Sequence, residues 1–159
     1  MAALFVFRFE TLLRLRKQRE DEKKRLVATR LRLIGEVRRR QDELTRSLEE
    51  QTRTLRASLR DSSVDVDQLR WGRHWLSHLR RGVLEADGEL ATHRALLAHE
   101  RGRLVEARKD KEVLAHLKEL RREAYLAEAS RREQREVDEI NALRFAGIGI
   151  PSSEQTAEG

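Results

Sequence analysis

Apolar residues recur along this chain at steps of three and four, the period of one face of an α-helix. Between Phe9 and Arg60 there is no proline and a single glycine, Gly35. Leu26, Arg30, Leu33, Val37, Gln41, Leu44, Leu48, Gln51 and Leu55 form the first stripe, with one doubled step of four from Val37 to Gln41. Six of these nine positions are apolar, which predicts a heptad-like seam with polar interruptions. Upstream, Leu12 and Leu15 extend the phase, but Arg19 and Glu22 fall on it. That stretch is expected to pack less firmly than the leucines below it.

The segment RDSSVDVDQL interrupts the pattern. Asp61, Ser62 and Ser63 are turn formers, and Asp65 with Gln68 three residues on reads as an N-cap with a capping-box partner. A second stripe then runs without a slip through Leu69, Gly72, Leu76, Leu79, Val83, Ala86, Leu90, His93, Leu97, Glu100, Leu104, Ala107, Lys111 and Leu114. After Leu114 the phase is expected to shift, with Leu117, Leu120 and Ala124 continuing the apolar face. The pattern stops near Phe145, and AGIGIPSSEQTAEG has the composition of a disordered tail.

These elements predict an all-α fold, a long antiparallel two-helix coiled-coil hairpin. Its parts are an N-terminal aromatic segment (1–8), helix 1 (about 9–60), a turn (61–65), helix 2 (about 66–145) and a tail (146–159). Folding about Ser63 sets residue 9 opposite about residue 117, so helix 2 from about Lys118 onward is expected to lack an intramolecular partner. Gly72, Gly82, Gly88 and Gly102 lie inside helix 2, each costing about 1 kcal/mol relative to alanine. They fit close helix approach or tolerated flexibility, and alternatively a deliberately compliant rod.

Composition narrows the class. Charged residues make up 39% of the chain and aromatics 4%, the profile of long helices and too poor in apolar bulk for a globular core. High charge with few aromatics also marks disorder, but the regular leucine spacing argues for helices. There is no cysteine, hence no disulfide and no thiolate chemistry. No apolar run approaches the roughly 18–20 residues that span a bilayer. AALFVF lacks both the length and the basic flank of a signal peptide, so a cytoplasmic protein is expected. The net charge of +6 is mostly arginine, but acids are mixed among the bases, as in REDEKKR and RREQREVDE. Mixed signs predict a solvated, ion-paired helix surface and not a phosphate-binding stripe, so no nucleic-acid partner is expected.

Motifs for chemistry are scarce. His74 and His78 stand at i, i+4, a spacing that suits one metal, but no third ligand stands at a telling distance. GIGI lacks the lysine and following helix of a phosphate loop. Asp138 and Glu139 are adjacent and point about 100° apart on a helix, so they cannot act as paired carboxylates. A two-helix fold also offers no concave pocket for a reaction. The expectation is a non-enzymatic chain without cofactor or metal. His93 lies on the seam, where a neutral imidazole beside a polar partner is expected.

Two aromatic groups stand out as contact residues. Trp71 and Trp75, four apart, share a helix face beside the seam near the hairpin turn, either shielding its end or anchoring a partner. Phe5, Phe7 and Phe9 are three of the four phenylalanines. Their alternation is too short for a strand with no sheet to join. As a helix-start segment, it would stack Phe5 on Phe9 and point Phe7 elsewhere, leaving a partner to complete the packing.

The two ends together resemble a known family. FVFRFETLLRLRKQREDEKKRL is similar to the start of the FliJ family of flagellar type III protein export, whose aromatic-x-aromatic opening precedes LLRLR and a charged helix. LVEARKDKEVLAHLKELRREAYLAEASRREQREVDEINALRF resembles the same family's second helix, with Tyr125 and the closing motif Arg131, Gln134, Asp138 and Glu139 in matching places. The one departure is Phe9, where the opening usually carries leucine. The resemblance implies a hairpin like the central stalk of rotary ATPases. It also implies three partners: the hexameric flagellar export ATPase, the cytoplasmic domain of the export gate, and export chaperones. Membrane association would then be peripheral, through the export apparatus at the inner face of the flagellar base.

On that reading Phe5, Phe7, Phe9, Leu12, Tyr125, Arg131, Arg132, Gln134, Asp138 and Glu139 contact the ATPase ring, and Trp71 with Trp75 faces the gate or a chaperone. The alternatives are a stalk of a non-flagellar type III system, an arginine-rich nucleic-acid-binding rod, and a dimerising coiled coil without an ATPase partner.

Overall fold

The computed structural model describes residues 4–61 and 65–148. Ser62 and Ser63 of the expected turn, and the expected tail from residue 149, lie outside the described residues. Two helices make up the fold, α1 (Glu10–Arg60) and α2 (Val66–Ile148), of 51 and 83 residues. The fold is all-α, an antiparallel two-helix coiled-coil hairpin. α1 closes its first turn on backbone carbonyls of the aromatic segment, with Glu10 N–H donating to Phe7 O and Leu13 N–H to Phe9 O. α2 begins as its sequence dictates, the Asp65 Oδ1 accepting from the Asp67 N–H at 3.0 Å. It ends three residues later than expected, because Ala146 and Gly147 are tolerated in a helix and the first outright breaker is Pro151.

The chain divides into two compact units, Arg14–Lys111 and the two terminal segments up to Leu13 and from Glu112. In the first, the helices run antiparallel. Arg16 pairs with Asp110, Arg30 with Glu100 and Arg40 with Glu89, so residue numbers fall along one helix as they rise along the other. Ile34, Val37, Ala86, Leu90 and Leu97 form the buried core, with Val27 packed against it. The α2 stripe from Leu69 to Ala107 is buried or half-buried at every expected position.

The α1 stripe differs from expectation by one residue. Val27 and Ile34 occupy the seam in place of Leu26 and Leu33, and Leu26 is about half exposed. The resulting positions Val27, Arg30, Ile34, Val37, Gln41, Leu44 and Leu48 alternate steps of three and four strictly, with no doubled step. That regularity explains the choice: the uninterrupted α2 stripe is matched only by an equally regular one. The same phase carried upstream puts Arg16, Glu20 and Lys23 inward, not Leu15, Arg19 and Glu22.

Polar residues on the seam meet each other. The Arg30 guanidinium reaches both Glu100 carboxylate oxygens, at 2.9 and 3.3 Å, and donates to His93 Nδ1 at 3.0 Å. The His93 ring proton therefore belongs on Nε2. The guanidinium holds the Glu100 carboxyl below its usual range, and the carboxylate raises Arg30. Glu20, 2% exposed, is the one buried charge among the described residues. Its carboxylate accepts from Lys111 at 2.7 Å and Lys24 at 3.0 Å, and these bonds lower its pKa from 4.5 to about 2.

Two of the four glycines mark close helix approach. A Cβ at Gly72 would meet Leu55 Cδ1 at 3.0 Å, and one at Gly82 would meet Leu44 Cδ1 at 3.2 Å. Gly88 and Gly102 face open space.

Candidate functional site

In the terminal unit, residues 4–9 are not helical, so Phe5, Phe7 and Phe9 do not follow helix spacing. The expected stack of Phe5 on Phe9 does not form. Phe7 and Phe9 meet edge to face at 5.8 Å, while Phe5 packs against Tyr125 of α2 at 5.6 Å. Phe7, expected to point elsewhere, is the buried ring of the three. Phe9 is partly exposed under the Arg8 guanidinium. Together Phe5–Phe9 and Arg121, Ala124, Tyr125 and Glu128 line a groove of about 520 Å³.

This packing corrects the expectation that α2 is unpartnered from Lys118. Lys118 pairs with Glu10 at 2.8 Å, and Phe5 reaches Tyr125. An extended segment covers more of α2 per residue than a helix would, about 3.3 Å against 1.5 Å. After Leu114 the expected Leu117 is half-buried, but so are Lys118 and Tyr125 on the unshifted phase, and Leu120 and Ala124 are exposed. Leu12 is likewise exposed, its seam place taken by half-buried Leu13.

Past Ala129, every residue of α2 described through residue 147 is exposed. Arg131, Gln134 and Asp138 stand at i, i+3 and i+7 on one face, and Arg132 and Glu139 share the neighbouring one. Arg132 is paired with Glu128, which its charge holds below the usual carboxylate range. Val137, Ile140 and Leu143 add an exposed apolar strip, and Phe145 is 82% exposed. Phe5, Phe7, Phe9 and Tyr125 are thus gathered in one groove, while the polar motif and Phe145 lie along bare helix beyond it.

In the other unit, Trp71 and Trp75 stack nearly parallel with centroids 6.0 Å apart, and His78 stacks on Trp75 at 5.3 Å. Trp71 is 66% exposed, and His74 is exposed beside it. Among the described residues no three His, Asp or Glu side chains are grouped to hold a metal ion. No described helix is long and apolar enough to cross a membrane.

Glu20 and the burial of Phe7 went unseen in the sequence. The regular α1 phase points Glu20 inward only once pairing with α2 has selected that phase over the adjacent one. Nothing in one-dimensional spacing signals the second, because it follows from a non-helical segment.

Among known proteins, the family model described as Flagellar FliJ protein matches residues 5–148. A solved chain described as a YscO homolog, CT670 of Chlamydia trachomatis, is 22% identical. The match covers 90% of this chain and 96% of that one, with a TM-score of 0.48. No curated protein matches the chain.

Proposed function

This chain belongs to the FliJ family of flagellar proteins, a type III export component of structural role, and we propose that it is a stalk that binds and stimulates the hexameric export ATPase. The observation that supports this most is the contrast within the terminal unit. An aromatic groove at Phe5–Phe9 and Tyr125 leads into a helix whose apolar strip and charged motif have no covering among the described residues. A helix in that state is built to be completed by another protein.

The stalk acts by differential binding. Contacting the subunits of a ring unequally, it favours hexamer assembly and biases nucleotide states by the difference in its affinity for them. Phe5, Phe7, Phe9, Leu12 and Tyr125 supply the apolar share, and Arg131, Arg132, Gln134, Asp138 and Glu139 supply charge of both signs. Trp71 and Trp75 form the second contact region, toward the cytoplasmic domain of the export gate or an export chaperone. The protein works in the cytoplasm, held at the inner membrane through the apparatus, and serves motility.

The test is the ATPase rate of the cognate export ATPase with and without the chain. Wild type is expected to stimulate it. The double charge reversal R131E/R132E is expected to abolish stimulation with helicity by circular dichroism unchanged, since both residues are exposed. Full stimulation by the folded double variant would sink the assignment of those residues.

A further inference from the structure

The net charge of +6 is not spread along the chain. Residues 51–60 hold three arginines and residues 68–84 hold four, with no acid in either stretch. With Asp61, Asp65 and Asp67 between them, residues 51–84 net +4 and the rest of the chain +2. These two stretches are neighbours in space, since a Cβ at Gly72 would meet Leu55 Cδ1 at 3.0 Å. Both of the protein's tryptophans lie here as well.

Arg70, Trp71, His74, Trp75, His78 and Arg81 follow one another over about three helical turns, on the side largely opposite buried Leu76. All are exposed except Trp75, which is half-buried at the flank. The stacked indoles and imidazole form one flat-sided ladder, with an arginine at either end of the run.

We propose that this face docks directly on an anionic lipid surface. A run of arginines without acids is attracted to a negative bilayer surface and held within a Debye length of it. Indole rings favour the headgroup region, where an apolar body and a polar N–H are both satisfied. The aliphatic side of α2 is already spent on α1, with Leu76 and Leu79 buried. Binding is therefore shallow and strongly salt-dependent, unlike that of a helix that embeds an apolar face. Single-stranded nucleic acid also pairs cations with aromatics, but it is held in a groove with splayed stacking platforms. Here the face of one helix is convex, and its rings stack on each other. The lipid surface takes the place that the export reading gives to the gate or a chaperone at Trp71 and Trp75, while the ATPase contact at the terminal residues is independent of it.

The experiment uses the full chain and its own reporter, because Trp71 and Trp75 are the only tryptophans. Vesicles rich in phosphatidylglycerol, at low salt, are expected to shift the tryptophan emission to the blue and to sediment the protein. Pure phosphatidylcholine vesicles are expected to do neither. R70E/R81E should lower partitioning about tenfold or more, and W71A should weaken it with helicity retained. Absence of a shift with the anionic vesicles would overturn the proposal, as would sedimentation that both variants leave intact. So would tighter binding to single-stranded oligonucleotide than to those vesicles at the same salt concentration.

Discussion

The stretch of α2 around Leu90 and the stretch around Leu143 are both helical and both mix acidic with apolar residues, yet their surroundings are opposite. Leu90 is buried with Ile34, Val37, Ala86 and Leu97, whereas Leu143 lies on a helix whose every described residue past Ala129 is exposed. Each stretch holds two glutamates and one arginine among apolar residues. Helical propensity therefore does not distinguish scaffold from contact surface here. What distinguishes them is whether α1 is there to cover the apolar stripe.

Breaking the scaffold should have the largest effect. Leu90→Ala is expected to cost about 2–4 kcal/mol, read as a lower urea midpoint, because it opens a cavity in the narrow seam. Leu143→Ala should leave that midpoint within about 0.5 kcal/mol and reduce stimulation of the ATPase instead. Equal loss of stability from both substitutions would erase the distinction between the two stretches.

Glu20 is next. Glu20→Gln keeps the shape but leaves Lys24 and Lys111 without their shared carboxylate, at an expected cost of about 1–3 kcal/mol. The folded-state pKa of about 2 lies below the ordinary 4.5, so the contribution is fully present above pH 4.5. It is lost as pH falls from there toward 2. Urea titrations across that window should show a steeper fall for wild type than for Glu20→Gln. Parallel curves would mean that Glu20 is not coupled to folding as the geometry indicates.

The smallest effects concern the glycines and sharpen the comparison from within the seam. Gly88→Ala faces open space and should stabilise by up to about 1 kcal/mol. Gly72→Ala should gain less, because its new methyl presses on the Leu55 side-chain tip at 3.0 Å. Thermal midpoints of the two variants, compared directly, test whether close approach explains Gly72. Identical gains would say that the helices have room there.

Much of the fold was legible because heptad spacing carries two kinds of information at once, helix and partner. The α2 stripe from Leu69 to Ala107 reads the same in sequence and structure. On α1 the sequence offered adjacent candidates, Leu26 beside Val27 and Leu33 beside Ile34, and spacing in isolation allows either. Facing α2 decided between them. The candidate site was legible as a set of residues but not as an arrangement. Phe5, Phe7 and Phe9 were identifiable from their concentration, yet which ring is buried followed from a backbone that leaves the helix before Glu10.

By itself, then, the sequence determined the two helices, their antiparallel pairing, the shared ends of the FliJ family and the segregation of positive charge beside the tryptophans. These are consequences of local periodicity, of chain connectivity and of composition, all of which are properties of a string. Only the tertiary structure decided that Glu20 is a buried, triply approached carboxylate, that Arg30, His93 and Glu100 share one network, and that Phe5 lies on Tyr125. The reason is that each depends on the rotational register between two surfaces, which a shift of one residue would change while the spacing along either helix stayed the same.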